Sequence, residues 1–200
     1  MTRQLKPEPI TRMLAGRLRE AATSVIGKSL VDVRYRFLAG ASWPDGYAHS
    51  HFDEVDMAVA LDFEGGMTLL CSWAMEGFEE GVDLESGPED TLRSPEARES
   101  EFRVAETGQW SGLRGDVLSG VGAAWQLRSQ LAPETVWAVK LSFASGRTVM
   151  IALGEVRNGR IHYQPDNLTV FFNPNEAEHY REEYESQAGG TLSQWEPVIV

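Results

Sequence analysis

The chain of 200 residues is long enough for one large domain or two small ones. Hydrophobic residues make up 42% of it and Cys71 is the single cysteine, so an ordinary globular core is expected and an intrachain disulfide is excluded. The formal net charge of −12 argues against direct nucleic-acid binding, because phosphates would be repelled. No stretch approaches the roughly 18 apolar residues of a membrane span, and the polar start is unlike a signal peptide. We therefore expect a cytoplasmic protein that does not bind membranes.

The acidic residues are concentrated in the middle of the chain. Residues 1–36 hold eight Lys or Arg against three Asp or Glu, whereas residues 76–101 hold ten acidic residues against Arg93 and Arg98. Because these carboxylates repel one another and few apolar residues accompany them, we expect residues 77–101 to form an exposed acidic loop. Such a loop either serves solubility alone or attracts a basic partner.

The first predicted elements are a helix and a strand. Apolar residues recur at steps of three and four over Ile10–Val25, which predicts a helix that begins after Pro9 and ends before Gly27. Apolar and polar residues then alternate over Leu30–Phe37, which is the pattern of a half-buried strand. A loop rich in turn residues is expected over residues 40–52.

Two later segments share one pattern. Val59–Thr68 and Val139–Thr148 both read Val-x-Leu-x-Phe-x-x-Gly-x-Thr, which predicts two β-hairpins with a glycine-containing turn. Upstream, Gly27–Val33 is loosely echoed by Gly115–Val121. We interpret residues 27–76 and 115–156 as two copies of a strand, loop and hairpin unit joined by the acidic loop 77–101. Shared turn chemistry without duplication is the alternative.

The C-terminal part predicts short strands and a second helix. Arg160–Tyr163 and Leu168–Phe172 are strand candidates. Asn173 and Pro174 suit the N-cap and first position of a helix that would run to about residue 185, and Trp195–Val200 would add an edge strand. The predicted fold is one α+β domain over residues 1–200, mainly antiparallel β, with a helix at each end.

A metal site is one interpretation of the loop before the first hairpin. His49 and His51 are two residues apart and Asp53 follows them, so their side chains could converge on a metal ion. The spacing resembles the His-x-His-x-Asp-His signature of the metallo-β-lactamase fold, but Glu54 stands where the last His should be. We prefer a polar loop that leads into a strand, and we expect no metal or other cofactor.

Other catalytic patterns are missing from the sequence, which contains no Gly-x-Ser-x-Gly elbow and no phosphate-binding loop. This favours a protein that is not an enzyme. Among the aromatic residues, Trp43 and Tyr47 lie in the predicted loop and are candidates for a contact surface, since aromatic residues are enriched at interfaces. Packing of Trp43 over the end of the sheet is the alternative.

Several segments resemble a group of uncharacterised bacterial proteins. The resemblance covers residues 27–185 and is carried by His51–Leu61 with Trp73, by Val136–Glu155 and by Tyr163–Phe172. These motifs describe hairpins, so the resemblance implies a structural relationship and brings no activity or functional residue. Small acidic bacterial proteins of this style include toxin-neutralising immunity proteins, which is an analogy only.

Two functions follow as hypotheses. The first is a partner-binding protein, of the immunity or regulatory-subunit kind, that recognises a basic protein surface through Trp43, Tyr47 and an acidic contact strip of Glu79, Glu80, Asp83 and Glu85. The second is a small-ligand binder or metal-dependent enzyme with a pocket lined by residues 43–56. The oligomeric state stays open.

Overall fold

The computed structural model describes residues 7–44, 48, 52–76, 79–92, 99–106, 108–127, 134–157, 160–162, 167–188 and 190–198. Within them the protein is α+β, with two antiparallel sheets and a helix near each end of the chain. The helices are α1 (Ala15–Val25), which follows a 3-10 turn at Arg12–Leu14, and α2 (Pro174–Ala188). Two further 3-10 turns lie at Glu89–Thr91 and Trp110–Gly112.

The strands in chain order are β1 (Leu30–Leu38), β2 (Phe52–Val55), β3 (Ala58–Phe63), β4 (Met67–Glu76), β5 (Glu79–Pro88), β6 (Glu99–Arg103), β7 (Leu118–Leu127), β8 (Thr135–Phe143), β9 (Thr148–Leu153), β10 (Glu155–Arg157), β11 (Arg160–His162), β12 (Leu168–Phe171), β13 (Thr191–Leu192) and β14 (Glu196–Pro197). The first sheet has the order β5-β4-β3-β1-β6. The second has the order β13-β7-β8-β9-β12-β2, and β14 also pairs with β7. Strands β10 and β11 form a separate ribbon.

Both predicted hairpins are confirmed. β3 and β4 pair from Phe63 opposite Met67 outward, and β8 and β9 pair from Ser142 opposite Thr148. Gly66 and Gly146, the glycines of the shared pattern, have φ angles of 71° and 85°, a region that side chains disfavour, which explains glycine in each turn. The alternating apolar residues point into one main core, where Cys71 is fully buried as a small hydrophobic residue.

The two sheets meet at the starts of β1 and β7. Leu30 N donates to Asp116 O (2.9 Å) and Leu118 N donates to Lys28 O (3.0 Å). Gly27 N and Gly115 N donate to the carbonyl oxygens of Leu118 and Leu30 at 2.8 and 2.7 Å. Each segment therefore gives the other the same pair of hydrogen bonds, and the first long strand of each sheet starts beside its counterpart.

The predicted N-terminal helix is confirmed over residues 12–25, but it does not include Ile10. Ile10 is fully buried and hydrogen-bonds to two strands: its N–H donates to Val82 O on β5, and its carbonyl accepts from Val136 N on β8. A helix starting at Ile10 would lose both bonds. The apolar spacing predicted the helix correctly. It could not show that Ile10, the first apolar residue of the pattern, hydrogen-bonds to two strands instead.

The expectation of an acidic loop over residues 77–101 is wrong for most of that range. β5 pairs with β4 along its whole length, and β6 pairs with β1. Val82 and Leu84 on β5 are buried in the core, and the intervening Asp83 forms an ion pair with Arg17. Arginines from distant parts of the chain offset the repulsion among the carboxylates of this segment. The composition of the segment alone does not reveal these arginines.

The C-terminal predictions are confirmed where the structure describes them. Asn173 Oδ1 accepts from Asn175 N at 2.9 Å and so caps α2. Tyr180 and Tyr184 on α2 are buried, and Trp137 Nε1 donates to the Tyr180 hydroxyl at 2.9 Å. Among the described residues, no helix is long and apolar enough to cross a membrane.

A buried charge network covers the outer face of the first sheet. The Arg34 guanidinium donates from Nε and Nη2 to the two Asp62 carboxylate oxygens at 2.9 and 2.7 Å, and it also contacts Glu89 and Glu101. Thr68 Oγ1 donates to Asp62 Oδ1 as well. Arg34 is only 3% exposed, so its charge depends on these carboxylates.

We expect Asp62→Asn to lower the free energy of unfolding by about 2 kcal/mol, because Arg34 would lose its bidentate partner in a buried position. Asp32→Asn is the matched control: Asp32 lies opposite Asp62 in the register but pairs with the exposed Arg103. It should lower the free energy by less than about 1 kcal/mol. Urea unfolding followed by circular dichroism measures both, and equal losses would contradict the buried role of Arg34.

Candidate functional site: an acidic cleft beside helix α1

A cleft of about 550 Å³ lies between helix α1 on one side and strands β4 and β5 on the other. The 3-10 turn at Glu89–Thr91 closes one end. Its described lining consists of Glu8, Arg17, Glu20, Ala21, Ser24, Met67, Leu84, Glu85, Ser86, Thr91 and Leu92. We call it the acidic cleft, because three carboxylates and one guanidinium line it.

Helix α1 is held against β5 by one buried carboxylate. Arg17 Nη2 lies 2.8 Å from Asp83 Oδ1, and Arg17 Nη1 lies 3.3 Å from Glu8 Oε2. Glu8 N donates to Asp83 Oδ2 at 3.3 Å. Leu18, Ala21, Ala22 and Val25 on α1 pack into the core, so the helix is fixed by apolar burial and by this ion pair.

Burial makes Asp83 unusual among the acidic residues. Its residue surface is 2% exposed, and this desolvation raises its pKa to about 6. Arg17 lowers the pKa and Glu85 raises it, but neither outweighs burial. Asp83 therefore lies behind the cleft wall and matches the charge of Arg17, which also contacts Glu8, whereas Glu20 and Glu85 have no ion-pair partner among the described residues.

The predicted contact strip is only partly on this surface. Glu85 lines the cleft, whereas Asp83 is buried and cannot form part of an exposed strip. Glu80 is half-buried, and its carbonyl accepts from Thr135 Oγ1 at 2.7 Å. Glu79 is the first residue of β5, and its side chain lies outside the described part of the chain.

Sequence reasoning missed Glu8 and Glu20, which complete the acidic lining. Arg17, Glu20, Ala21 and Ser24 follow one another at steps of three, one and three, so they form one stripe on α1. That spacing was visible in the sequence. What it could not show is that β5, more than fifty residues later, packs beside the stripe.

The aromatic part of the predicted contact surface has a packing role. Trp43 is half-buried, and its ring meets Tyr35 edge-on at 4.9 Å between centroids and lies 6.0 Å from Phe37. This is the alternative in which Trp43 packs over the sheet end. Tyr47 lies outside the described residues.

Asp53, the third metal-ligand candidate, belongs to a buried hydrogen-bond network. The Tyr35 hydroxyl donates to Asp53 Oδ2 at 2.7 Å and accepts a hydrogen bond from Trp110 Nε1. Burial raises the pKa of Asp53 to about 6, although the Tyr35 hydrogen bond lowers it. His49 and His51 lie outside the described residues. Among those described, no three His, Cys, Asp or Glu side chains are grouped to hold a metal ion.

Comparison with known proteins adds no relationship: no family model matches the chain, and no curated protein or solved structure matches it. The structure itself defines the class, which is an α+β protein with two antiparallel sheets.

The raised pKa of Asp83 makes stability depend on pH. Its ordinary pKa is 3.8 and its folded pKa is about 6, so the folded state binds more protons than the unfolded state between these values. The contribution of Asp83 is most favourable below about pH 4 and is lost as the pH rises through 6. Asp83→Asn removes this titrating group. Between pH 4 and pH 6 we therefore expect the unfolding free energy of the variant to fall by about 2 kcal/mol less than that of the wild type.

Urea unfolding at half-unit steps from pH 4 to pH 7 measures this difference. Asp90→Asn removes one charge at an exposed position of the 3-10 turn and serves as the matched control. An Asp83→Asn curve parallel to the wild-type curve throughout would show that Asp83 is not the buried titrating group.

Proposed function

We propose that the protein is a non-enzymatic binding protein whose acidic cleft holds a basic segment of a protein partner. The observation that carries this proposal is the lining of the cleft. Glu8, Glu20 and Glu85 surround a floor that includes Leu84 and Leu92. A partner segment with lysine or arginine beside apolar side chains matches both parts of this lining.

The pairing of Arg17 with carboxylates favours a cationic partner over an anionic one, because its positive charge is already matched within the protein. Arg17 is engaged by Asp83 and Glu8. The cleft then retains the charges of Glu20 and Glu85 in a chain whose net charge is −12. Electrostatic attraction of this kind raises the association rate more than the final affinity.

The volume of the cleft supports a short recognition segment. About 550 Å³ falls within the roughly 300–1,000 Å³ of ordinary ligand pockets, which is room for a few side chains and not for a whole domain. An immunity protein or a regulatory subunit that captures an exposed basic segment fits this scale. We place the protein in the cytoplasm, without nucleic acid or membrane as its direct partner.

We also propose that the two halves are copies of one unit. The support is the reciprocity at Gly27–Leu30 and Gly115–Leu118, where each segment makes the same hydrogen bonds to the other. Irregularities in register also fall at matching places, between Leu30 and Asp32 on β1 and between Leu118 and Gly120 on β7. In this proposal residues 77–101, which join the two copies, are largely β-strand.

A second candidate function, a small-ligand or metal-dependent enzyme near residues 43–56, is favoured by the Tyr35–Asp53 pair. A half-buried carboxyl with a pKa of about 6 beside a tyrosine hydroxyl can exchange a proton near neutral pH. Near-stoichiometric Zn, Fe or Mn in the purified protein, lost in Asp53→Asn, would favour this function over the binding protein. We expect metal content well below one ion per chain.

Charge reversal in the cleft tests the proposed function. Wild-type protein and the Glu20→Lys/Glu85→Lys variant are used as baits in an extract of the native host, and any retained protein is purified and titrated against each. We expect a basic protein to bind wild type and to lose at least about tenfold in affinity with the variant, because two attractive charges become repulsive. Binding to wild type should also weaken as salt rises.

The matched control is Glu182→Lys/Glu185→Lys, which makes the same change of charge on the exposed face of α2. It should bind as wild type does. Equal loss in both variants would show that only net charge matters, and unchanged binding by the cleft variant would remove the acidic cleft as the site.

A further inference from the structure

A second cleft, with different chemistry, lies beside the β8–β9 turn. Its volume is about 310 Å³, and we call it the Arg147 cleft. The described lining residues are Gln109, Leu113, Gly146, Arg147, Thr148, Phe172 and Pro174. None of them is acidic, although the chain holds 30 acidic residues against 18 Lys or Arg.

Arg147 differs from most arginines of the described chain. Arg12, Arg17, Arg34 and Arg103 each lie within ion-pair distance of a carboxylate. Within the described ranges, Arg147 has no such carboxylate. Its side chain is exposed, so the guanidinium is available to an anion from solution.

The position of the Arg147 guanidinium depends on Gly112. A Cβ atom at position 112 would lie 1.9 Å from Arg147 Nη1 and 2.9 Å from its Cζ. The guanidinium therefore lies directly on the glycine backbone, in space that any side chain would fill. The base of the side chain is fixed too, because Phe143 N donates to Arg147 O at 2.9 Å in the turn.

We infer that the Arg147 cleft binds a small organic carboxylate. The planar guanidinium presents paired N–H donors that match the two oxygens of a carboxylate. Gln109 and Thr148 add a side-chain amide and a hydroxyl to the lining, while the half-buried Phe172 and the exposed Pro174 supply apolar surface for the body of the ligand. The volume is at the small end of ordinary ligand pockets, which suits a ligand of about ten non-hydrogen atoms.

The apolar wall distinguishes this ligand class from inorganic anions. Phosphate would satisfy the guanidinium but would leave Phe172 and Pro174 in contact with water. A carboxylate with an attached ring or short chain would use both the charge and the wall. The inference goes beyond the proposed function, since it concerns a separate cleft and an oppositely charged ligand.

The test is a titration of the full ¹⁵N-labelled chain with benzoate, followed by the backbone amide signals of Gly146, Arg147 and Thr148. We expect saturable shifts with a Kd of about 1–10 mM, the range reached by a ligand of this size. Benzamide has the same shape without the charge and should bind at least about tenfold more weakly. Saturation by benzamide at the same concentration, or by inorganic phosphate, would overturn the assignment to carboxylates.

Two variants address the guanidinium independently. Arg147→Gln removes the charge, and Gly112→Ala leaves the charge but displaces the guanidinium; each should weaken benzoate binding at least about tenfold. The displaced atoms are the end of a flexible side chain, so the Gly112→Ala fold should be retained. Arg19→Gln, an equal charge change on the exposed side of α1, should leave binding unchanged. Absence of saturation with wild type, or wild-type affinity in Arg147→Gln or Gly112→Ala, would overturn the inference.

Discussion

Ile10 is the residue on which the arrangement of the two sheets and the first helix depends. Its N–H and carbonyl groups bond to Val82 in one sheet and to Val136 in the other, and its side chain is fully buried. Gly81 makes this close approach possible, since a Cβ atom there would lie 3.0 Å from Pro9, Thr135 and Val136. One residue thus hydrogen-bonds to two strands and sets where helix α1 can start.

The acidic cleft is a consequence of that placement. Once α1 starts beside β5, Arg17 reaches the buried Asp83 and the apolar face of the helix enters the core. The outer stripe of α1 then faces the edge of β5, and carboxylates from both remain on the surface between them. The negative charge of the cleft comes from the way α1 and β5 pack together. It does not come from a solvated acidic loop, because most of residues 77–101 is β-strand.

Elements with a strong local pattern were predictable, and contacts between distant segments were not. Val59, Leu61 and Phe63 alternate before a glycine turn, and Asn173 with Pro174 marks a helix start, so hairpins and α2 followed from sequence. β5 was missed because its acidic residues resemble a loop until Arg17, from another part of the chain, is placed beside Asp83. The partner of Asp53 was missed for the same reason, since Tyr35 lies on a different strand.

Amide hydrogen exchange can locate directly the proposed binding of a partner between α1 and β5. Exchange would be measured by mass spectrometry on the chain alone and saturated with the protein that wild-type bait retains. Binding in the acidic cleft predicts slower exchange in residues 15–25 and 79–92, with β7 and β8 unchanged. Slower exchange confined to β2, β13 or the Trp43 region, with α1 and β5 unaffected, would contradict it.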